Sequence, residues 1–403
     1  MAESKHETEL EETEGLEQPP KKKRRHTKLR RWVSRIIALL ITIVLVVGAV
    51  YVVVHRDTIS IDSVRRSLSN LVNGETQADS YTLKGDTSSC TAAFQGGILV
   101  CSQTDLQLFA RSGKQEINES INFTKPVVSV AGHYAAVYDA GGSRLYLIRD
   151  EQIVHTYTST SDKAGAILSA RVSENGSLTV VERATGYKAA VTVYDASLQP
   201  VVTENISSSF VSDAALSPDG KTLAAVSVGE DTSGFDSVLI FYNVADGEEL
   251  YRCALGSDVL LDLKWEKNGL WVVGEYGAYY VEKGTLTNSN TDQTRILQDF
   301  SLGGNGFAVL YCSKYQNGSG GTVELLTTQG SGSAISQNDE VLDLSAAGSY
   351  FSVLTANQLT IYRSDMTVYA QVDNDWGARK VLQREDGSVL VVSNGSADLY
   401  APE

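Results

Sequence analysis

Aspartate recurs seven residues before a hairpin glycine in three successive stretches of this chain: Asp213 before Gly220, Asp262 before Gly269 and Asp299 before Gly306. Ser169 stands at the same place before Gly176 and Lys380 before Gly387, and Asp343 joins them if one residue is missing from its turn. If each stretch is one copy of a repeated unit, these side chains share one level around a common axis. Carboxylates so placed offer the several oxygen ligands that a cation such as calcium prefers. They are also the groups through which a hydrolase or lyase performs acid and base chemistry. The plainer expectation, and the preferred one, is that each carboxylate hydrogen-bonds neighbouring backbone, because buried polar groups are satisfied locally.

Other chemistry finds little support. The histidines, His6, His26, His55, His133 and His155, are scattered, and no His-Glu-x-x-His or Cys-x-x-Cys spacing occurs. Nucleophile-elbow, Ser-x-x-Lys, phosphate-loop and dinucleotide fingerprints are missing too. Asp373-Asn374-Asp375 opens like a calcium loop but lacks the downstream ligands and reads as a turn. The expectation is a non-catalytic chain without a cofactor, calcium being the one candidate.

The cysteines suggest a structural bond. In "SCTAAFQGGILVC", Cys90 and Cys101 are equidistant from Gln95-Gly96, so a turn centred there sets them opposite each other. At a non-hydrogen-bonded pair they come within disulfide reach, and outside a membrane oxidation is permitted. Cys253 and Cys312 read as separate buried thiols.

The elements that position these residues are repeats. Eight segments end a strand in aromatic or aliphatic residues: "LQLFA", "RLYLI", "VTVYD", "VLIFY", "AYYVE", "VELLT", "LTIYR" and "ADLYA". Each follows another apolar strand, from "GILVCS" to "VLVVSN", and before that a third strand and a turn such as "ALSPDGK" or "LQREDGS". Asn-Gly and Asp-Gly pairs suit tight hairpins. The pattern predicts an all-β fold, an eight-bladed β-propeller over residues 80–403, with seven blades as the alternative count. The chain stops after the third strand of its last unit, so "SYTLKG" at residues 80–85 is expected to complete that sheet and remove an edge.

"LSPDGKTLA" and "FYNVADGEELYR" resemble the inner hairpin and outer turn of WD40-like and quinoprotein-like propellers. The whole plan of basic tail, anchor, short helix and propeller is similar to an uncharacterised family of single-pass membrane-anchored propeller proteins of Gram-positive bacteria. There is no Trp-Asp signature, and with four tryptophans neither tryptophan-docked blades nor quinone binding carries over. The resemblance implies a fold and a placement rather than an activity.

The anchor is read directly. Residues 36–54, "IIALLITIVLVVGAVYVVV", run 19 residues without a charge, the length of a transmembrane helix. A cleaved signal peptide is the alternative, but its apolar run is shorter and no small-residue cleavage site follows. The flank "KKKRRHTKLRRWVSR" keeps the N-terminus cytoplasmic, which places the propeller outside the cell membrane. Residues 1–35 form a tail, acidic and then polybasic, read as disordered, and residues 55–79 a juxtamembrane helix with its linker. The tail carries ten Lys or Arg against seven Glu, so the remaining 368 residues carry −18 of the total −15. So acidic a body repels phosphate backbones and excludes nucleic acid as its partner.

In such a ring the second-to-third-strand loops share a face with the connections between blades. The longest, at residues 182–190, 228–237 and 312–321, bring Tyr187, Phe235 and Tyr315 to one rim, with Tyr276 and Trp376 on neighbouring connections. At least half of these rings are expected to tuck back between blades; the others supply contact area for an envelope protein or a surface polymer. Glu230, Asp231 and Asp236 in the same loops favour a basic partner.

Overall fold

The computed structural model describes residues 77–84, 89–159, 165–231, 234–315 and 320–402. The expected tail, transmembrane helix and juxtamembrane helix lie outside them. Among the described residues every regular element is a strand, and no helix is long and apolar enough to cross a membrane.

The strands form eight four-stranded antiparallel sheets, seven of them built from four consecutive strands. Their inner strands are Cys90–Phe94, Pro126–Ala131, Ile167–Val172, Phe210–Leu216, Leu260–Trp265, Ile296–Ser301, Val341–Ala347 and Lys380–Gln383, which number blades 1 to 8. The eighth sheet takes its outer strand from the start of the ring, as expected: Ser80, Tyr81 and Thr82 pair with Asp398, Ala397 and Ser396. Tyr81 locks this seam, fully buried and edge-on to Phe109 with ring centroids 6.1 Å apart.

Apolar runs become second strands because those strands are covered on both faces. Gly97–Cys101, Leu270–Gly274, Phe307–Ser313 and Tyr350–Thr355 are buried along their whole length. Outer strands such as Glu249–Gly256 and Thr285–Thr291 are mostly exposed, and the second of them is accordingly polar. The core is therefore divided, one hydrophobic cluster lying between each pair of neighbouring blades. With each buried Val, Leu, Ile or Phe side chain contributing about 1.5–3 kcal/mol, these slabs hold the ring together.

The Pro218-Asp219-Gly220 turn shows how the hairpins close. Ser217 Oγ donates to Asp219 Oδ1 at 2.6 Å, Lys221 N donates to the same oxygen at 3.1 Å, and Gly220 sits at φ +72°, where a side chain is strained. Those bonds, Ser217's first, hold the exposed Asp219 carboxyl below its usual range.

In the first hairpin, Gln95 at φ 49° and Gly96 at φ 79° make a two-residue turn closed by Phe94 and Gly97. Cys90 does pair with Cys101 across the ladder, and both are free thiols in this structure. Bonding class alternates along a ladder, so four steps from the closing pair the cysteines stand at a hydrogen-bonded position, where opposed side chains are farther apart. Cys90 Sγ instead donates to Pro126 O at 2.9 Å, linking blades 1 and 2. Cys253 and Cys312 are buried thiols in blades 4 and 6.

Candidate functional site

The recurring residues are set at one level by a recurring irregularity. In blades 3 to 7 the inner ladder slips by one residue, between Ile167 and Ser169, Val211 and Asp213, Leu260 and Asp262, Leu297 and Asp299, and Val341 and Asp343. Each slip is a β-bulge, which bends the strand and re-aims the residue after it. Asp343 follows its bulge like the others and so belongs to the series. In blade 5 the bulged residue, Leu261, is 47% exposed beside Asp262, whereas Leu168 and Leu342 pack against hydrophobic clusters.

Around the axis these side chains link one blade to another. Ser169 Oγ donates to Asp213 Oδ1, and Arg171 donates to both oxygens of Asp213 and to Asp262 Oδ1. Asp343 Oδ2 accepts from Val381 N at 2.7 Å, and Lys380 Nζ donates to Ser89 O at 2.7 Å. Asp213, Asp262 and Asp299 each accept at 2.8 Å from the next residue's N–H. The backbone hydrogen bonds that were preferred from sequence are thus present at all four aspartates.

The cation site drawn from Asp213, Asp262, Asp299 and Asp343 is corrected by Arg171. Its guanidinium lies between the first two carboxylates, so their oxygens do not fit calcium as free ligands. Among the described residues no three His, Cys, Asp or Glu side chains are gathered to hold a metal ion. Burial works against the Arg171 charge, but Asp213 and then Asp262 outweigh it and raise its pKa.

Asp299 and Asp343 behave differently. Burial, with Asp343 as the neighbouring charge, pushes the Asp299 carboxyl up to about 7, and burial pushes Asp343 up to about 6 against the pull of Val381 N–H and Lys380. Arg171, Asp213 and Asp262 line an axial cavity of about 660 Å³, walled chiefly by the inner strands of blades 2 to 6. Lys264 stands in its wall, donating to Gly304 O at 3.2 Å, and burial lowers its pKa against the opposing effect of Glu266.

On the loop face, Tyr187, Phe235 and Tyr315 are exposed, Tyr315 most at 64%. Tyr276 and Trp376 are half-buried, the latter edge-on to Tyr400 at 6.0 Å, so fewer rings tuck inward than expected. Phe210, 60% exposed with Lys188 Nζ 4.9 Å from its ring centre, belongs to this face and was hidden in the sequence as an ordinary strand residue. Arg171 was hidden as well. Its signal is spacing, since two residues after Ser169 it points to the same side of the strand.

Solved structures share the fold at low identity. A computationally designed protein, Ika8, is 12% identical with a TM-score of 0.57, the match covering 81% of this chain and 100% of that one. The C-terminal WD40 domain of Sif2 is 10% identical with a TM-score of 0.53, covering 82% and 97%. No curated protein matches the chain in sequence. Residues 71–254, reaching into the outer strand of blade 4, match a family of unknown function (DUF5711).

Proposed function

We propose that this chain is a non-catalytic interaction scaffold, anchored by residues 36–54 in the cell membrane, whose propeller contacts an envelope protein or surface polymer through its loop face. The observation that carries this reading is the asymmetry of the two faces. The hairpin face is closed by tight turns such as Ser217–Lys221, whereas the loop face presents Tyr187, Phe235 and Tyr315 on long connections. Blade 4 reaches well past its inner strand: Thr222–Asp231 and Gly234–Asn243 stay paired for three rungs beyond Val228, where the inner strand ends.

Gln77, the first described residue, lies on the hairpin face, donating to Tyr81 Oη at 2.8 Å and accepting from Arg384 Nη1 at 3.2 Å. Asp213 and Asp262, on which a hydrolytic site would draw, are both engaged by Arg171.

The test is crosslinking of the tagged full-length protein in its native membrane. Joint replacement of Tyr187, Phe235 and Tyr315 by alanine is expected to remove the partner captured by the wild type. Capture that ignores the three substitutions would rule out this face.

A further inference from the structure

We infer that the axial cavity binds a small zwitterion bearing an apolar group, the chemistry of a free amino acid or of a short peptide with open ends. The inference goes beyond the loop-face reading and does not rest on it.

Hydrogen-bonding capacity is left over where the Arg171 network meets this cavity. Arg171 directs Nε and Nη2 at Asp213 and Asp262, while its Nη1 has no partner among the described residues. Asp262 accepts from Arg171 and from Leu263 N through Oδ1, and its Oδ2 accepts from none of the described residues. Neither atom is among the fully buried unpartnered ones, and both residues line the cavity. Lys264 lines it too, two residues after Asp262 and so on the same side of the strand. Its Nζ donates to Gly304 O at 3.2 Å, with Glu266 Oε1 beyond hydrogen-bond reach at 3.8 Å. An ammonium carries three donors, so Lys264 retains donors for a ligand.

The charges in the lining are balanced, Arg171 and Lys264 against Asp213 and Asp262. A simple anion therefore meets two carboxylates, and a simple cation meets two basic groups. A molecule carrying both charges avoids either conflict: its carboxylate takes Arg171 Nη1 and Lys264 Nζ, and its ammonium takes Asp262 Oδ2, in charge-assisted hydrogen bonds. Burial lowers the Lys264 pKa against the effect of Glu266, and a ligand carboxylate beside it favours the charged form. Val128, Leu261 and Phe300 supply an apolar wall in the same cavity, none of them fully buried and Leu261 47% exposed. At about 660 Å³ the space falls within the range of about 300–1,000 Å³ usual for small-ligand sites, which are likewise apolar with a few placed polar groups.

The probes are leucine and dileucine, titrated by calorimetry into the full-length protein in detergent, each also with its amine acetylated or its carboxylate converted to the amide. At least one of the two free forms is expected to bind, and capping either end should weaken it at least about tenfold, equivalent to about 1.4 kcal/mol. Tighter binding of leucine assigns the cavity to a free amino acid, and tighter binding of dileucine to a peptide. Lys264→Gln keeps a donor for Gly304 O; it should weaken the free form about tenfold and leave the amide-capped form unchanged, because that form has no carboxylate to lose. Leu261→Trp, at an exposed position outside the ionic network, should fill the cavity and abolish binding of every form while keeping the wild-type melting temperature. Absence of binding by both free forms at millimolar concentration overturns the inference. So does equal affinity of the free and capped forms, or free-form affinity unchanged in both variants.

Discussion

Arg171 and Asp262 form an ion pair that skips a blade: the guanidinium on the inner strand of blade 3 reaches past blade 4, where it also holds Asp213, to a carboxylate on blade 5. Three blades are thereby tied at one level by a single side chain. Removing that side chain leaves two partly buried carboxylates without their counter-charge.

Arg171→Met is therefore expected to cost about 1–3 kcal/mol, below the value for a fully buried pair because Arg171 and Asp262 remain 27% and 32% exposed. Asp262→Asn should cost less, since Asp213 still engages the guanidinium. Denaturant titration of the two variants and of Arg171→Met with Asp213→Asn and Asp262→Asn measures this. A combined loss equal to the sum of the separate ones would show that the groups do not act together.

The Asp299 and Asp343 carboxyls set a pH dependence whose sign follows from their raised pKa values. The folded chain holds their protons at pH values where the unfolded chain has released them. Their contribution to stability is complete below about pH 4 and is lost as pH rises through about 6 and 7. Asp299→Asn keeps an acceptor for Phe300 N and carries no charge, so it should be about 1–3 kcal/mol more stable than wild type at pH 8 and little different at pH 4. Denaturation midpoints at the two pH values decide it; a constant difference would assign the effect elsewhere.

The repeat, the blade count and the closing strand were legible because each depends on local periodicity: alternating apolar strands, a glycine in each turn, and a last unit one strand short. The level of the aspartates was legible for the same reason. Their partners were not. Arg171 reaches two other blades from a position that no turn-based count selects, and the bulges that expose Leu261 leave no mark on composition. The cysteines were paired correctly but given the wrong bonding class, since a ladder's alternation depends on the closing pair of the turn, and only structure shows which pair that is.

Closure of the ring rests on Tyr81. It is fully buried at the seam, and its strand supplies the eighth sheet with its outer edge. Tyr81→Ala should cost about 3–5 kcal/mol, as for other large buried aromatics. Hydrogen exchange should then show blade 8 losing protection before blades 3 to 5. Uniform loss around the ring would mean that the seam is not a separate point of opening.

The thiols of the first hairpin should be slow to react. Burial raises the Cys90 pKa, with Lys380 opposing, and pushes Cys101 up to about 12, with Cys90 and Asp139 adding to the effect. Only the thiolate is a good nucleophile, so at pH 7 both are protonated. Labelling with a maleimide, read by peptide mass, should proceed at the rate of local opening and rise sharply in denaturant. Because Cys90 Sγ donates across the blade 1–2 boundary to Pro126 O, Cys90→Ser should preserve that link and Cys90→Ala should destabilise by about 1 kcal/mol. Equal stability of the two variants would show that the link contributes nothing.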